Sequence, residues 1–430
     1  MSYNTLHRPI DLAHLSVTEL GDLHRLLYHT CLANARALAG YCPLVQPLAA
    51  KWALIDTVYA LVEHSVQYAT RLPEVRVPLR LAGVPSDEIL RAATALSQQP
   101  SWEQALGWVG HHLLPNLLTL SEEALSTAEG QALMHDRQIF AQVCADLRRL
   151  CALPAFGSLP SDAEMPKLAL EEIPPMEAGS TPTGAFALQS PSCPRRVYPS
   201  ESRFVSESVK APLPLDTPER LAHFLHNNLQ IEFIAIDVPM RNLADFHDLP
   251  LQFYRDMARH AHDEMRHTIL LLENLDGLGI PLGSFPFEAP DRFETLVDQD
   301  LLYRLVVLSR AGEGEAIEFA SSLVPNLAEL GFQEASNMFD HVVSDEIRHT
   351  AYANKWIRFL VGENDEAVER VTRDCLLRYN SIAQDIGLPG KPRIPDLLNA
   401  DRPLGVDLLG RELAGFTKGE LESLSKAANK

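Results

Sequence analysis

The sequence predicts an all-α protein, and three observations carry that prediction. Apolar residues recur at three- and four-residue spacing through long stretches of the chain, strand-like alternation is scarce, and the charged string HDEMRHT at 262–268 lies inside one helical pattern and returns as SDEIRHT at 344–350. Two copies of D-E-x-R-H-T, each set in an otherwise apolar helix, ask for one explanation.

The elements follow in order. Ser16 is a natural N-cap for VTELGDLHRLLYHTCLANARALA, and helical periodicity continues through LVQPLAAKWALIDTVYALVEHSVQYAT and the stretches 86–98, 102–126 and 131–151. Residues 1–152 are therefore expected to form a helical domain of their own. Between 153 and 218 lie 12 of the chain's 30 prolines, which predicts an extended linker over 153–216 instead of a helix. Four long helical patterns follow at 217–238, 250–277, 296–323 and 331–361, giving a four-helix bundle over 217–361. Pro218 starts the first, Pro239 is expected to stop it, Pro250 starts the second, and Pro325 is expected to stop the third. A further helix near 364–385 and a Pro-rich tail occupy 362–430.

Composition narrows the partners. A length of 430 residues implies more than one domain, and 46% hydrophobic with 22% charged residues is ordinary globular composition. A formal charge of −20 argues against nucleic acid, which draws affinity from clustered Lys and Arg. The start MSYNTLHRPI lacks the basic and apolar regions of a secretory leader, and no apolar run reaches the roughly 18 residues a membrane span needs, so no membrane association and a cytoplasmic location are expected. The six cysteines form no C-x-x-C pair and read as buried reduced thiols.

The chemistry resides in the bundle. Stepping by three or four from Glu264 meets Met257, His260, Ala261, His267, Leu271 and Leu275. The same steps from Glu346 meet Phe339, Val342, Val343, His349, Ala353, Trp356 and Ile357. Each Glu-x-x-His pair thus lies on an apolar, inward face, where an unpartnered carboxylate is expensive. A pair of metal ions is the natural partner, if each remaining helix adds one inward carboxylate. The first offers Glu232, on the stripe of Leu221, Leu225, Leu229 and Ile236. The third offers Glu313, on the stripe of Leu302, Leu305, Val306, Ser309, Ala316, Ile317 and Ala320; Glu315, about 200° round the helix, is the second choice and Glu318 the third. Glu232 and Glu264 are 32 residues apart and Glu313 and Glu346 33, so two similar hairpins would bring all four to one height.

This inventory resembles that of the ferritin-like di-iron or di-manganese carboxylate superfamily. DEMRHT and DEIRHT resemble the D-E-x-R-H signature of its bacterial multicomponent monooxygenases. IEFIAID, DEMRH, DEIRHTAYANKW and RELAGFTKGELESL together resemble an uncharacterised bacterial ferritin-like domain family over roughly 215–425, within which the AID of Asp237 recurs. Where that family reads PRVLEARG this chain has SRAGEGEAIE, and counting from the shared Arg again selects Glu313. The resemblance implies a ferritin-like four-helix bundle beside the additional N-terminal domain. It implies Glu264 and Glu346 as bridging, catalytic carboxylates, Glu232 and Glu313 as terminal ligands, and one ion for each of His267 and His349.

Asp263 and Asp345 point about 100° from their neighbouring ligands. Asp263 is expected to orient His349 and Asp345 to orient His267, with Arg266 and Arg348 pairing those acids. His260 reads as a hydrogen-bonded structural histidine, with a proton relay or extra ligand as the alternative. Gly312 and Gly314 read equally as sites of close helix packing and as a π-bulge or cleared space beside the metals. The adjacent pairs Glu63–His64 and His111–His112 diverge by about 100°, so the N-terminal region is expected to be metal-free, with a structural, dimerising or lid role that admits a homodimer.

The functional expectation is an O2-dependent oxidase or oxygenase acting on a small organic substrate, with two Fe ions, Mn/Fe or Mn/Mn as cofactor and O2 as co-substrate. No Rossmann fingerprint or P-loop is found, so electrons are expected from a ferredoxin, a reductase or the substrate. A ferroxidase or manganese catalase is the first alternative, and a metal-stabilised scaffold or partner-binding protein the second.

Overall fold

In the computed structural model, which describes residues 10–78, 85–160, 187–207, 209, 214–388 and 407–428, helices account for nearly all regular structure. The chain divides into two units. The first gathers Met1–Cys193 with Pro239–His262, and the second Pro194–Val238 with Asp263–Lys430.

In the first unit, α1 (Val17–Ala39) opens with a full capping box: Ser16 Oγ accepts from Glu19 N, and Glu19 Oε2 accepts from Ser16 N at 2.8 Å. It packs on α2 (Leu48–Arg71) through an almost unbroken buried row that includes Leu27, Leu38, Leu54 and Leu61. Around them stand α3 (Asp87–Ser97), α4 (Trp102–Trp108), a π-helical turn at Val109–Leu113, α5 (Leu114–Thr127) and α6 (Met134–Cys151). The six cysteines are unbridged, and Cys31, Cys42, Cys144 and Cys193 are buried.

The bundle helices are α7 (Pro218–Asp245), α8 (Leu251–Gly277), α9 (Leu301–Arg304) running through a π-helix at Leu305–Gly312 into α10 (Glu313–Glu329), and α11 (Gln333–Val361). Two expected helix ends are wrong. Both Pro239 and Pro325 lie inside helices. A proline forfeits one backbone hydrogen bond, but continuing α7 buries Met240, Leu243 and Ala244, and continuing α10 buries Leu327. The end of α7 is then stabilised within the first unit by Arg36, which donates to the carbonyls of Leu243 at 3.2 Å and Phe246 at 3.3 Å. The third bundle helix starts at Leu301, capped by Asp300, and not at 296.

The expected linker is only partly extended chain. Residues 161–186 lie outside the described residues. Pro154–Ser158 forms a 3-10 turn, and β1 (Phe204–Val205) pairs in parallel with β2 (Phe287–Glu288). Arg196 anchors the β1 approach to the second unit through a buried 2.8 Å ion pair with Asp237 and stacks over Tyr198. After α11 come α12 (Asp365–Asp385), α13 (Leu408–Leu413) and α14 (Lys418–Ala428). These last two are tied down by buried charge. Arg411 binds Glu318 through both carboxylate oxygens at 2.6 and 2.8 Å, and Glu420 accepts from Arg310 at 2.6 Å and Arg358 at 3.0 Å. No helix among the described residues is long and apolar enough to cross a membrane.

The two glycines of α10 and its π-helix now separate. A Cβ on Gly314 would collide with the Arg411 guanidinium, whereas one on Gly312 would meet only the Val307 carbonyl at 3.4 Å. Gly314→Ala is expected to destabilise by about 1–3 kcal/mol in urea unfolding through overpacking, and Gly312→Ala to change stability by less than about 1 kcal/mol. Equal costs would remove the packing role assigned to Gly314.

Candidate metal centre

Four helices of the second unit deliver the candidate ligands: Glu232 from α7, Glu264 and His267 from α8, Glu313 from α10, and Glu346 and His349 from α11. The i, i+3 spacing sets carboxylate and imidazole one turn apart on one face. That face is buried in both helices, and Glu264, His267 and His349 are at most 1% exposed.

Glu264 stands between the two rings. Its Oε2 is 3.1 Å from Nδ1 of His267 and its Oε1 2.8 Å from Nδ1 of His349. Glu346 spans the same rings, with Oε1 3.8 Å from His267 Nδ1 and Oε2 3.7 Å from His349 Nδ1. Glu232 Oε2 lies 3.6 Å from His267 Nδ1. Donor atoms of Glu232, Glu264, His267 and Glu346 fall within 4.8 Å of one another, as do those of Glu264, Glu313 and His349. Two donor sets therefore overlap at Glu264, one around each imidazole.

The far side of each ring meets an acid from the other helix. Asp345 Oδ2 is 3.1 Å from Nε2 of His267, and Asp263 Oδ2 is 3.6 Å from Nε2 of His349. A carboxylate facing Nε2 favours a proton there and leaves Nδ1 turned toward the cluster. Nη1 of Arg348 donates to Asp263 and Asp345, each at 3.2 Å, and Arg266 pairs with Asp345. These guanidinium side chains are 40% and 48% exposed, so they balance the buried acids from the solvent side. The threonines that complete the repeated strings have separate tasks. Thr268 donates to the Glu264 carbonyl of its own helix at 3.0 Å, and Thr350 crosses to the Ser309 carbonyl of the π-helix at 3.3 Å.

Other candidates fall elsewhere. Glu315 is exposed on α10, and Glu318 is occupied by Arg411. His260 alone of these stays near the ligands: it is buried one turn before Glu264 on α8, and a ring nitrogen lies within 4.8 Å of donor atoms of Glu264, Glu313 and His349. Glu63 is held by Arg255 at 2.7 and 3.0 Å, His64 faces Asp146 at 3.3 Å, and His111 meets the Leu159 carbonyl at 3.1 Å.

Burying four carboxylates together distorts their acidity. Burial first, then the neighbouring Glu264 charge, pushes Glu232 well above the usual carboxyl range and Glu346 up to about 7. Burial would lower both imidazoles, but the carboxylates overcome it: Glu264 and Glu232 raise His267 to about 10, and Glu264 with Asp263 raises His349 well above its ordinary value. Protons on Glu232, Glu346 and the two imidazoles thus offset the crowded negative charge. An oxygen-rich set with two imidazoles fits a pair of hard or borderline divalent ions.

The cluster also meets open space. A cavity of about 510 Å³ is lined by Glu232, Glu264, Glu313 and Glu346 and walled by Phe224, Phe319 and Phe339. Val307, Leu308, Ala311 and Gly312 of the π-helix form part of its wall. A π-turn widens the helix locally, and here it lies immediately before Glu313. Sequence reasoning missed the cavity's polar lining at Arg292 and Tyr379 and the Arg310–Glu420 and Arg411–Glu318 pairs. Their partners are far apart in sequence and leave no local pattern.

Residues 168–389 match the family described as Protein of unknown function (DUF455). No curated protein and no solved structure matches the chain.

The titration of Glu346 has a signed consequence for the metal-free protein. Its folded value of about 7 lies above the ordinary 4.5, so its contribution to stability is full below about pH 4.5 and is lost as pH rises through about 7. Glu346→Gln, permanently neutral, is expected to gain stability relative to wild type as pH rises from about 5 to about 8, read by urea unfolding after chelation. A pH-independent difference would remove Glu346 from the crowded cluster.

Proposed function

We propose that this chain, which belongs to the family described as Protein of unknown function (DUF455), is a ferritin-like dinuclear oxidase or oxygenase that uses two iron ions, or a manganese-containing pair, and O2 on a small organic substrate. The observation that carries the reading is the cavity of about 510 Å³ that opens onto the carboxylates. Storage of ions, or their use as a structural rivet, gives no reason for an apolar chamber of ligand size beside the donors.

Each part of the chain has a task in this reading. Glu264 and Glu346, placed between the rings, would help to hold both ions, while Glu232 and Glu313 would complete one set each. Asp345 pairs with Nε2 of His267 and Asp263 faces Nε2 of His349, which keeps both Nδ1 atoms aimed inward. Bound ions would supply Lewis acidity and redox electrons. Phe224, Phe319 and Phe339 exclude water from the reacting end. Electrons beyond those of the substrate come from an external ferredoxin or reductase.

Metal analysis tests the assignment. Wild type grown with iron and manganese is expected to carry about two ions per chain, His267→Ala and His349→Ala to lose about one each, and Glu63→Ala to keep both. Equal loading in all four proteins would refute the site. Oxygen uptake by the reduced, loaded protein without added iron or peroxide separates the oxygenase reading from catalase chemistry, for which no uptake is expected.

A further inference from the structure

The same cavity carries information about what enters it. Its lining contains both buried and exposed residues. Phe224, Phe339 and Glu313 are buried, Arg292 and Tyr379 half-buried, and Asn380 exposed. Phe224 lies with its ring centroid 5.7 Å from Phe319 and 6.1 Å from Phe339, a continuous aromatic wall at the inner end. The outer end is polar, and its polar groups are unequal. Asp291 accepts the Tyr198 hydroxyl and the Phe293 N–H, and Glu288 accepts the Val209 N–H at 2.8 Å. Arg292, by contrast, has no ion pair or side-chain hydrogen bond among the described residues, and the same holds for the Tyr379 hydroxyl and the Asn380 amide. Arg292, Glu315 and Tyr379 all line the cavity, and Arg292 and the exposed Glu315 both act electrostatically on Tyr379, so the three are neighbours.

A half-buried guanidinium beside a phenol and an amide is a donor set awaiting an acceptor, and the planar fork of Arg matches a carboxylate. Elsewhere among the described lining residues, Asn227 Oδ1 lacks a partner and Glu315 is an exposed acid, and neither offers a carboxylate a donor. Resting on the di-metal reading for its chemistry, we propose that the cavity binds a monocarboxylic acid with an apolar body, its carboxylate held by Arg292, Tyr379 and Asn380 and its chain lying along Phe224, Phe319 and Phe339 toward Glu313. The acid end then fixes which carbon faces the metal centre, and position along the chain selects the site of oxidation.

Calorimetric titration of the full-length protein with decanoate, decanol and decylamine tests this. Decanoate is expected to bind at least about tenfold tighter than decanol, since a charge-assisted pair separates them. Arg292→Gln brings decanoate to the level of decanol and leaves decanol unchanged, and Tyr379→Phe weakens decanoate severalfold by removing one donor. Equal binding of acid and alcohol, tighter binding of the amine, or an Arg292→Gln protein that keeps its preference for decanoate would overturn the assignment. So would failure of all three probes to bind. Metal content of the same samples is read separately. A full metal complement without carboxylate selectivity removes the substrate class and leaves the di-metal reading, whereas selectivity in protein that takes up no metal removes the di-metal reading alone.

Discussion

Four carboxylates and two imidazoles crowded into an apolar bundle set the terms for the second unit. An ionised carboxylate removed from water costs several kcal/mol unless it is paired, and Glu232, Glu264, Glu313 and Glu346 are removed together. The raised pKa values of Glu232 and Glu346 express that cost as captured protons. The acids one step outward, Asp263 and Asp345, would add to it, and they are tolerated because Arg348 and Arg266 reach them from the solvent side. Charge is thus layered: guanidinium at the surface, acid beneath it, imidazole next, and the shared carboxylates at the centre.

The irregular third helix follows from the same demand. It must turn Glu313 toward the cluster and also leave a wall open to a cavity, and a regular α-helix bearing bulky side chains would close that wall. The π-helix at Leu305–Gly312 widens the turn before Glu313, and Gly312 and Ala311 keep the wall low. A widened helix has weaker internal hydrogen bonding, so outside support matters. Thr350 bonds the Ser309 carbonyl, Arg310 is fixed by Glu420, and Gly314 admits Arg411 to reach Glu318. The C-terminal helices therefore act on the centre at one remove, by holding the helix that carries Glu313.

What was legible in the sequence is what is local in it. The i, i+3 relation of Glu264 to His267 and of Glu346 to His349 depends only on helix geometry, and so does the crossing of Asp263 and Asp345 toward the neighbouring helix. Glu313 could be separated from Glu315 because its stripe was apolar on both sides of the π-helix. Local rules failed where long-range burial outweighed them. Pro239 and Pro325 read as stops, yet Met240, Leu243 and Leu327 gain enough from burial to carry both helices onward. Arg196 lay in a proline-rich stretch that reads as linker, and nothing beside it announced Asp237. Arg411 and Glu318 are 93 residues apart and Arg310 and Glu420 110, separations at which a sequence has no periodicity to show.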